Sequence, residues 1–510
     1  MNRWHLNLVL PCLVCALTLS ACDPEPTRIV WSPDGSRALV LLPDGLHLCD
    51  PQGTLSPLLI AGAAYAEWLP DSRHIVALRH EPLTSWAQVS NLVSEPTRRT
   101  IADLAGQVHA VALACQGDWS KFEEARVKST SPENLQTYDD SLKLFLCAQN
   151  DPALRAQFGA AWETWLGKPE MDATVVQTYE VTPASAKPGP ILLQGCELEQ
   201  YAVRIRVSPT GQYVAVSYTT KAYIVTHQTP FNSSSLGVVP TDGSGTLRPI
   251  SELTSLFVDW TADERYLVFG RTDSPEPQSM HGTDDRARLG SITRHRVTDL
   301  GANRAEDFHD EDLASVLYSP TMRVRCLKDG RILFSGVELH LPATTADMPE
   351  EESLFVLDPA RQATVTNLIP RGVLAKTGGL TDYFEVSPDE TEVSLLGPKG
   401  EVRTLTLATG DVTDWQKDEV AGQDSQSDPK PRIVPQWRTP NQLTFVRPIS
   451  NPQPGQAVAE VVLVKRNATT SEFNTLSAHW PASSVYGFLV PSPKPPTTAP
   501  ASASDPATQP

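Results

Sequence analysis

One short unit recurs along this chain: a β-rich run, a turn built on Pro with Asp or Gly, and a second β-rich run. It is first seen as Ile29-Val30-Trp31, then Ser32-Pro33-Asp34-Gly35, then Ala38-Leu39-Val40-Leu41. Further copies centre on Pro70-Asp71, Pro209-Thr210-Gly211, Ala262-Asp263, Pro320, Pro388-Asp389 and Pro440. Proline sets φ for the first central turn position, and Asp, Asn or Gly accepts the geometry that follows, so each copy predicts a β-hairpin. A lone hairpin leaves both apolar faces wet. Small sheets arranged around one axis bury those faces against each other and protect their edges, which is the β-propeller solution. The Trp, Tyr or Val before each turn is then expected to pack between blades rather than to bind a ligand.

Most turns follow one another at blade-like intervals, but the stretch from Pro70 to Pro209 is too long for one blade. It is read as an eighth, degenerate blade formed by Val108 to Cys115 and Val175 to Val181, with a helical insertion over residues 118–168. The expected fold is therefore all-β, a propeller of seven or eight blades with eight favoured, carrying a helical insertion. Within that insertion Ser131-Pro132-Glu133 reads as a cap and first turn, and Asp151-Pro152 opens a second helix with Leu154, Phe158, Ala161, Trp162 and Trp165 on one face. That aromatic face is expected either to pack on the adjacent blade or to dock a partner.

The turn strings carry a resemblance. Ser32-Pro33-Asp34-Gly35 matches the Ser-Pro-Asp-Gly hallmark of the PD40, or TolB-like, propeller repeat in full, while Ser387-Pro388-Asp389-Glu390 and Ser208-Pro209-Thr210-Gly211 match in part. The resemblance runs from about Thr27 to Val490 and implies a propeller over residues 27–490. TolB-like propellers act as interaction platforms in the bacterial envelope, so it also implies a binding role.

The N-terminus gives an address. Arg3 precedes an apolar stretch from Leu8 to Leu19, shorter than the roughly 20 residues of a bilayer-spanning helix. The stretch ends in Leu19-Ser20-Ala21-Cys22, which resembles a bacterial lipobox. Residues 1–21 are accordingly read as a lipoprotein signal peptide and 22–26 as a linker, with Cys22 lipidated through its thiol. The chain is thus expected to be held at a membrane of the cell envelope, facing the periplasm or exterior, with inner and outer membrane both open. Of the remaining cysteines, Cys115 and Cys147 flank the insertion and form the candidate disulfide, with free thiols the alternative. Residues 491–510, rich in Pro, Ala, Ser and Thr, are expected to be disordered.

With 40% hydrophobic residues, most of the chain can bury a core, and a net charge of -18 opposes attraction to nucleic acid. No Gly-x-Ser-x-Gly elbow, Cys-x-x-Cys pair or EF-hand loop occurs in the mature sequence, so no catalytic, cofactor-binding or metal residue is assigned. Asp242-Gly243-Ser244-Gly245-Thr246 lacks the lysine of a phosphate loop and reads as a turn, and His309-Asp310-Glu311-Asp312 reads as a solvated acidic loop. The expected function is a non-catalytic platform for an envelope protein or peptide. The alternative is a small-molecule or glycan sensor, or a cryptic hydrolase, with its site in the propeller channel.

Overall fold

The computed structural model describes residues 28–129, 132–219, 234–272, 288–297, 310–319, 321–337, 352–361, 363–369, 383–397, 401–415, 434–449, 459–466 and 471–480. Cys22, Pro320, His309 and the segment 491–510 lie outside them.

The protein is an all-β propeller, and its described residues form seven four-stranded antiparallel units. Blade 1 comprises β1 (Ile29–Trp31), β2 (Ala38–Leu42), β3 (Gly45–Cys49) and β4 (Ile60–Ala61). Blade 2 has β5 (Ala63–Trp68), β6 (His74–Leu83), β7 (Met171–Thr182) and β8 (Ser185–Cys196). Blades 3 and 4 share one seven-stranded sheet: β9 (Tyr201–Val207), β10 (Tyr213–Thr219), β11 (Ser234–Pro240), β12 (Arg248–Trp260), β13 (Tyr266–Thr272), β14 (Arg288–Arg296) and β15 (Asp310–Tyr318). Strand β12 serves both, pairing its first half with β11 and its second half with β13, and Leu253 at φ +59° marks the crossover. Blade 5 runs through β16 (Val324–Cys326), β17 (Ile332–Val337), β18 (Glu352–Asp358) and β19 (Thr364–Asn367). Blade 6 contains β20 (Phe384–Val386), β21 (Glu392–Leu396), β22 (Val402–Thr406) and β23 (Val412–Asp414). Blade 7 closes with β24 (Gln436–Thr439), β25 (Gln442–Pro448), β26 (Ala459–Arg466) and β27 (Ser471–Thr475).

What makes these sheets a ring is that each interface between neighbours has its own apolar core. Leu39 and Leu41 of blade 1 meet Trp68 and Ile75 of blade 2, and Val76 and Leu78 on the other face of blade 2 meet Ile205 and Val214 of blade 3. The sequence of interfaces continues through Leu236 with Phe269, Ile292 with Phe334, Leu333 with Leu395, and Val402 with Phe445. Ile29 and Trp31 of blade 1 finally meet Val461 and Leu463 of blade 7. Three tryptophans tie the inner strands together: Trp68, Trp260 and Trp437 donate their indole N–H to the backbone oxygens of Val30, Arg206 and Glu385 on the preceding blades.

The turns share one geometry. In the first, Ser32 N donates to Arg37 O and Gly35 N to Ser32 O, while Asp34 accepts from the Ser32 hydroxyl at 2.6 Å and from Ser36 N at 2.9 Å. Asp71, Asp263, Asp329 and Asp389 repeat the acceptor role within their own turns. The last turn position is left-handed in six blades: Gly35, Ser72, Gly211, Glu264, Gly330 and Glu390. Where that residue is not glycine, its side chain holds the turn of the preceding blade: Ser72 accepts from Asp34 N, Glu264 from Thr210 N, and Glu390 from Lys328 N. A left-handed non-glycine residue costs on the order of 1 kcal/mol, so these contacts offset a real strain. Glu264→Ala, which keeps the strain and loses the contact, is therefore expected to lower unfolding stability by about 1–2 kcal/mol in urea titration. Glu264→Gly, which relieves the strain, should cost less.

Several sequence readings are corrected. The eighth blade does not form: Val108 to Ala114 belong to a helix, and Val175–Val181 lie in the third strand of blade 2. The alternation of Val and Ala there resembles a strand, but Ile101, Leu104, Ala105, Val108 and Ala112 are buried at helical spacing, and the Ser94 hydroxyl caps the helix by accepting from Thr97 N. The turn of blade 5 is Leu327-Lys328-Asp329-Gly330, downstream of Pro320, with Gly330 N donating to Leu327 O. Asp310, Glu311 and Asp312 are not a loop but the start of β15, where they pair with Arg271, His295 and Arg294.

The helical insertion starts well before residue 118. It lies between the second and third strands of blade 2 and comprises α1 (Trp86–Leu92), α2 (Glu95–Ala114), α3 (Trp119–Ser129), α4 (Pro132–Gln149), α5 (Pro152–Phe158) and α6 (Ala160–Leu166). Asp151 caps α5 by accepting from Ala153 N at 2.7 Å. The single second helix read from the sequence is broken in two at Gly159, whose φ is +54°. Cys115, at the end of α2, and Cys147, exposed on α4, are free thiols rather than a disulfide; Cys115 packs against the insertion's own core.

Candidate functional site

Two places in the molecule gather chemistry. The first is the axis, where the inner strand of each blade presents one residue two positions before its turn. In blades 2 to 6 these are Glu67, Arg206, Asp259, Arg325 and Glu385, an alternation of charge around the ring. Their neighbours two residues upstream are Tyr65, Arg204, Phe257, Arg323 and Tyr383.

The charges satisfy one another. Glu67 accepts from the Tyr65 hydroxyl at 2.9 Å and Val207 N at 2.7 Å, and lies 3.4 Å from Arg206. Arg206 Nε donates to Asp259 at 2.7 Å, and the other oxygen of Asp259 accepts from Cys326 N at 2.9 Å. Glu385 takes two guanidinium groups, Arg325 at 2.9 Å and Arg323. Burying ions is expensive unless they are paired this closely. Burial alone would raise the pKa of Glu385, but Arg323 and Arg325 outweigh it and hold the carboxyl down at about 2. Burial and the charge of Arg323 press Arg204 down to about 9, and burial pushes the Tyr65 hydroxyl and the Cys326 thiol well above their ordinary values. The void at this cluster is about 10 Å³, room for roughly one water. A carboxylate locked in its ionised form between guanidinium groups is poorly matched to proton transfer near neutrality. The arrangement is a network of buried ion pairs between neighbouring inner strands.

The second place is the insertion. Phe122, Leu154, Phe158, Trp162 and Leu166 form a core with Leu104, Val108 and Leu142, so the aromatic face read from the sequence packs on the insertion's own helices rather than on a blade. A separate cluster, Val89, Val93, Ile101 and Leu144 against Leu83, Met171 and Ala173, seats the insertion on blade 2. At the edge of the insertion's core, Trp119 and Trp165 pack against Phe122 yet stay half-buried, and they flank a floor of Ala160, Ala161 and Thr164. With Glu123 they line an open groove of about 370 Å³ between α3 and α6. Arg126 and Lys143 lie 5.3 and 5.8 Å from the Trp165 ring.

The residues singled out in the sequence fall into separate groups. Pro33, Asp34, Gly35, Pro70, Asp71, Pro209, Gly211, Asp263, Pro388, Asp389 and Pro440 sit at the ends of inner hairpins. The charged ring was missed, although aligning the turns and reading two residues upstream of each reveals it. Among the described residues no group of three or more His, Cys, Asp or Glu is placed to hold a metal ion.

No family model and no curated protein matches this sequence. Solved structures with a similar fold include an oligogalacturonate lyase from Vibrio parahaemolyticus, 12% identical with a TM-score of 0.36 over 72% of this chain and 73% of that one. Another is the tricorn protease, 12% identical with a TM-score of 0.35 over 78% of this chain and 36% of that one. The acylaminoacyl peptidase of Pyrococcus horikoshii is 9% identical, with a TM-score of 0.31 over 52% of this chain and 38% of that one. Likeness at this level concerns the fold, and none of these enzymes lends its chemistry to this chain.

Proposed function

We propose that this protein is a membrane-anchored envelope lipoprotein, lipidated at Cys22, whose TolB-like propeller is a non-catalytic platform for a protein or peptide partner. The observation that carries the binding role is the open groove between Trp119 and Trp165, on an insertion that has its own core and is seated firmly on blade 2. Half-buried tryptophans offer large apolar area at little entropic cost, which is what partner anchors require. The inner-strand charges are already engaged with one another, which favours a surface site over a channel site. The anchoring rests on the lipobox-like Leu19-Ser20-Ala21-Cys22.

The test is affinity capture from detergent-solubilised envelopes with the lipidated full-length chain and its Trp119→Ala/Trp165→Ala variant. A partner retained by the wild type and lost at least tenfold with the variant is expected, while the circular dichroism spectra of both proteins coincide. Equal recovery by both proteins would refute the groove as the site. Cys22→Ala should move the chain from the membrane fraction to the soluble one, and an unchanged distribution would refute the anchor.

A further inference from the structure

The groove between α3 and α6 differs from the blades in what its tryptophans do. Trp31, Trp68, Trp260, Trp415, Trp437 and Trp480 all donate their indole N–H to a protein oxygen. Trp119 and Trp165 donate to none among the described residues, and neither N–H is a buried orphan. Both are available to an acceptor that comes from outside the fold. Between them lie only small side chains, Ala160, Ala161 and Thr164, and one charged group, Glu123. Arg126 and Lys143 pack on the Trp165 ring but do not line the groove.

That lining selects among the shapes a peptide can take. An α-helix satisfies its own carbonyls, so its apolar face would cover the two indole N–H groups and give them no acceptor, which is costly. A β-strand brings N–H groups that need acceptors, and the lining offers only the side chains of Glu123 and Thr164. Polyproline II fits: its carbonyls have no internal partner, proline has no N–H, and its rings lie against aromatic walls. With three residues per turn, prolines three apart share a face. The chain itself carries such a segment. Residues 491–500 read Pro-Ser-Pro-Lys-Pro-Pro-Thr-Thr-Ala-Pro, in which Pro493 and Pro496 have this spacing and Lys494 is the only charged residue.

We infer that the groove binds the chain's own residues 491–500 as a polyproline II helix, with Pro493 and Pro496 against Trp119 and Trp165 and Lys494 paired with Glu123. The inference rests on the reading of the groove as a peptide site and adds its regulation: a partner has to displace the tail. Charge matches one to one, a single cation facing a single carboxylate. Reach is sufficient. The last described residue, Trp480, is buried at the seam of blades 7 and 1, so only blade 1 stands between it and the blade that carries the insertion. The chain from there to Pro493 extends up to about 43 Å, whereas packed sheets lie about 10 Å apart. Tethering holds the segment at an effective concentration on the order of mM, which keeps even a weak contact occupied.

The test is zero-length coupling of lysine to carboxylate by a carbodiimide in the full-length chain, purified in detergent, followed by peptide mapping. Lys494 should be joined to Glu123 at least tenfold more often than to Glu95, which is exposed on α2. Mixing isotope-labelled and unlabelled chains should place the link within one chain. Trp119→Ala/Trp165→Ala should lose the link at least tenfold. So should Pro493→Ala/Pro495→Ala/Pro496→Ala, which alters none of the described residues and keeps the test decisive if the tryptophan variant misfolds. In affinity capture the proline variant should recover about fivefold more partner than the wild type. A link to Glu123 no more frequent than to Glu95, one formed between chains, or one that persists in the proline variant would overturn the inference and leave the partner site standing. A Glu123 link in a chain whose capture of a partner does not depend on Trp119 and Trp165 would instead assign the groove to the tail and refute the partner reading.

Discussion

Glu385→Gln is expected to lower unfolding stability by about 3–5 kcal/mol, the loss typical of breaking a buried ion pair by removing one partner. The substitution preserves shape and leaves two guanidinium groups, those of Arg323 and Arg325, buried without a counter-charge. An independent route gives a similar size. The carboxyl falls from its ordinary 4.5 to about 2 on folding, and at roughly 1.4 kcal/mol per pH unit that shift is worth about 3 kcal/mol. Because the folded-state pKa is the lower one, this contribution is fully present above about pH 4.5 and is lost as pH falls towards 2. Urea titrations across that range should therefore show wild type and Glu385→Gln converging in acid and separated at neutral pH. Arg323→Met should cost less than Glu385→Gln, and adding it to Glu385→Gln should restore part of the loss, because it removes one of the two stranded charges. Parallel curves for wild type and variant down to pH 2 would show that the carboxylate does not bear on stability.

The same cluster explains what a reader of the sequence could and could not see. Blades were legible because each one depends on a local device: a turn with Asp accepting from residues two positions away, flanked by strands with β-branched residues. Copies with Ala262 or Gln436-Trp437-Arg438-Thr439-Pro440 were still recognisable, since the flanking strands keep their pattern. Pro320 misled because blade 5 turns later, at Leu327-Lys328-Asp329-Gly330, where no proline marks the place.

Helix α2 misled for a different reason. Val108, Ala110, Val111 and Ala112 suit either a strand or a helix, and the choice is made by burial against Phe122, Leu146 and Leu154, residues distant in sequence. The charged ring is less legible still. Glu67, Arg206, Asp259, Arg325 and Glu385 look like surface residues one at a time, and only ring closure sets them against one another. The groove of the insertion depends on the break at Gly159, which turns α6 so that Trp162 enters the core while Trp165 and Ala161 face the groove.

Ring closure itself yields the second large effect. Among the described residues, blade 1 is built from the N-terminal part of the propeller and blade 7 from the C-terminal part, and no shared sheet joins them. Closure rests on side chains: Trp31 Nε1 donates to Thr444 at 2.7 Å, Arg438 Nε to Gly35 O at 2.7 Å, and Trp480 Nε1 to Gly53 O at 3.0 Å. Trp480 is buried with Ile29, Cys49, Val461 and Leu476 in the core of that interface. Trp480→Ala is expected to cost about 3–5 kcal/mol through the lost apolar contact, with a further contribution from the orphaned carbonyl of Gly53. Cys49 supplies a local reporter. Burial raises its thiol pKa to about 12, so it should resist labelling at pH 8 in the wild type. In Trp480→Ala, peptide mapping after treatment with a thiol reagent should find Cys49 modified at least tenfold faster, with Cys196, buried where the insertion meets blade 2, unchanged. Equal acceleration at both cysteines would mean global unfolding, and no acceleration at Cys49 would mean that Trp480 does not guard the seam.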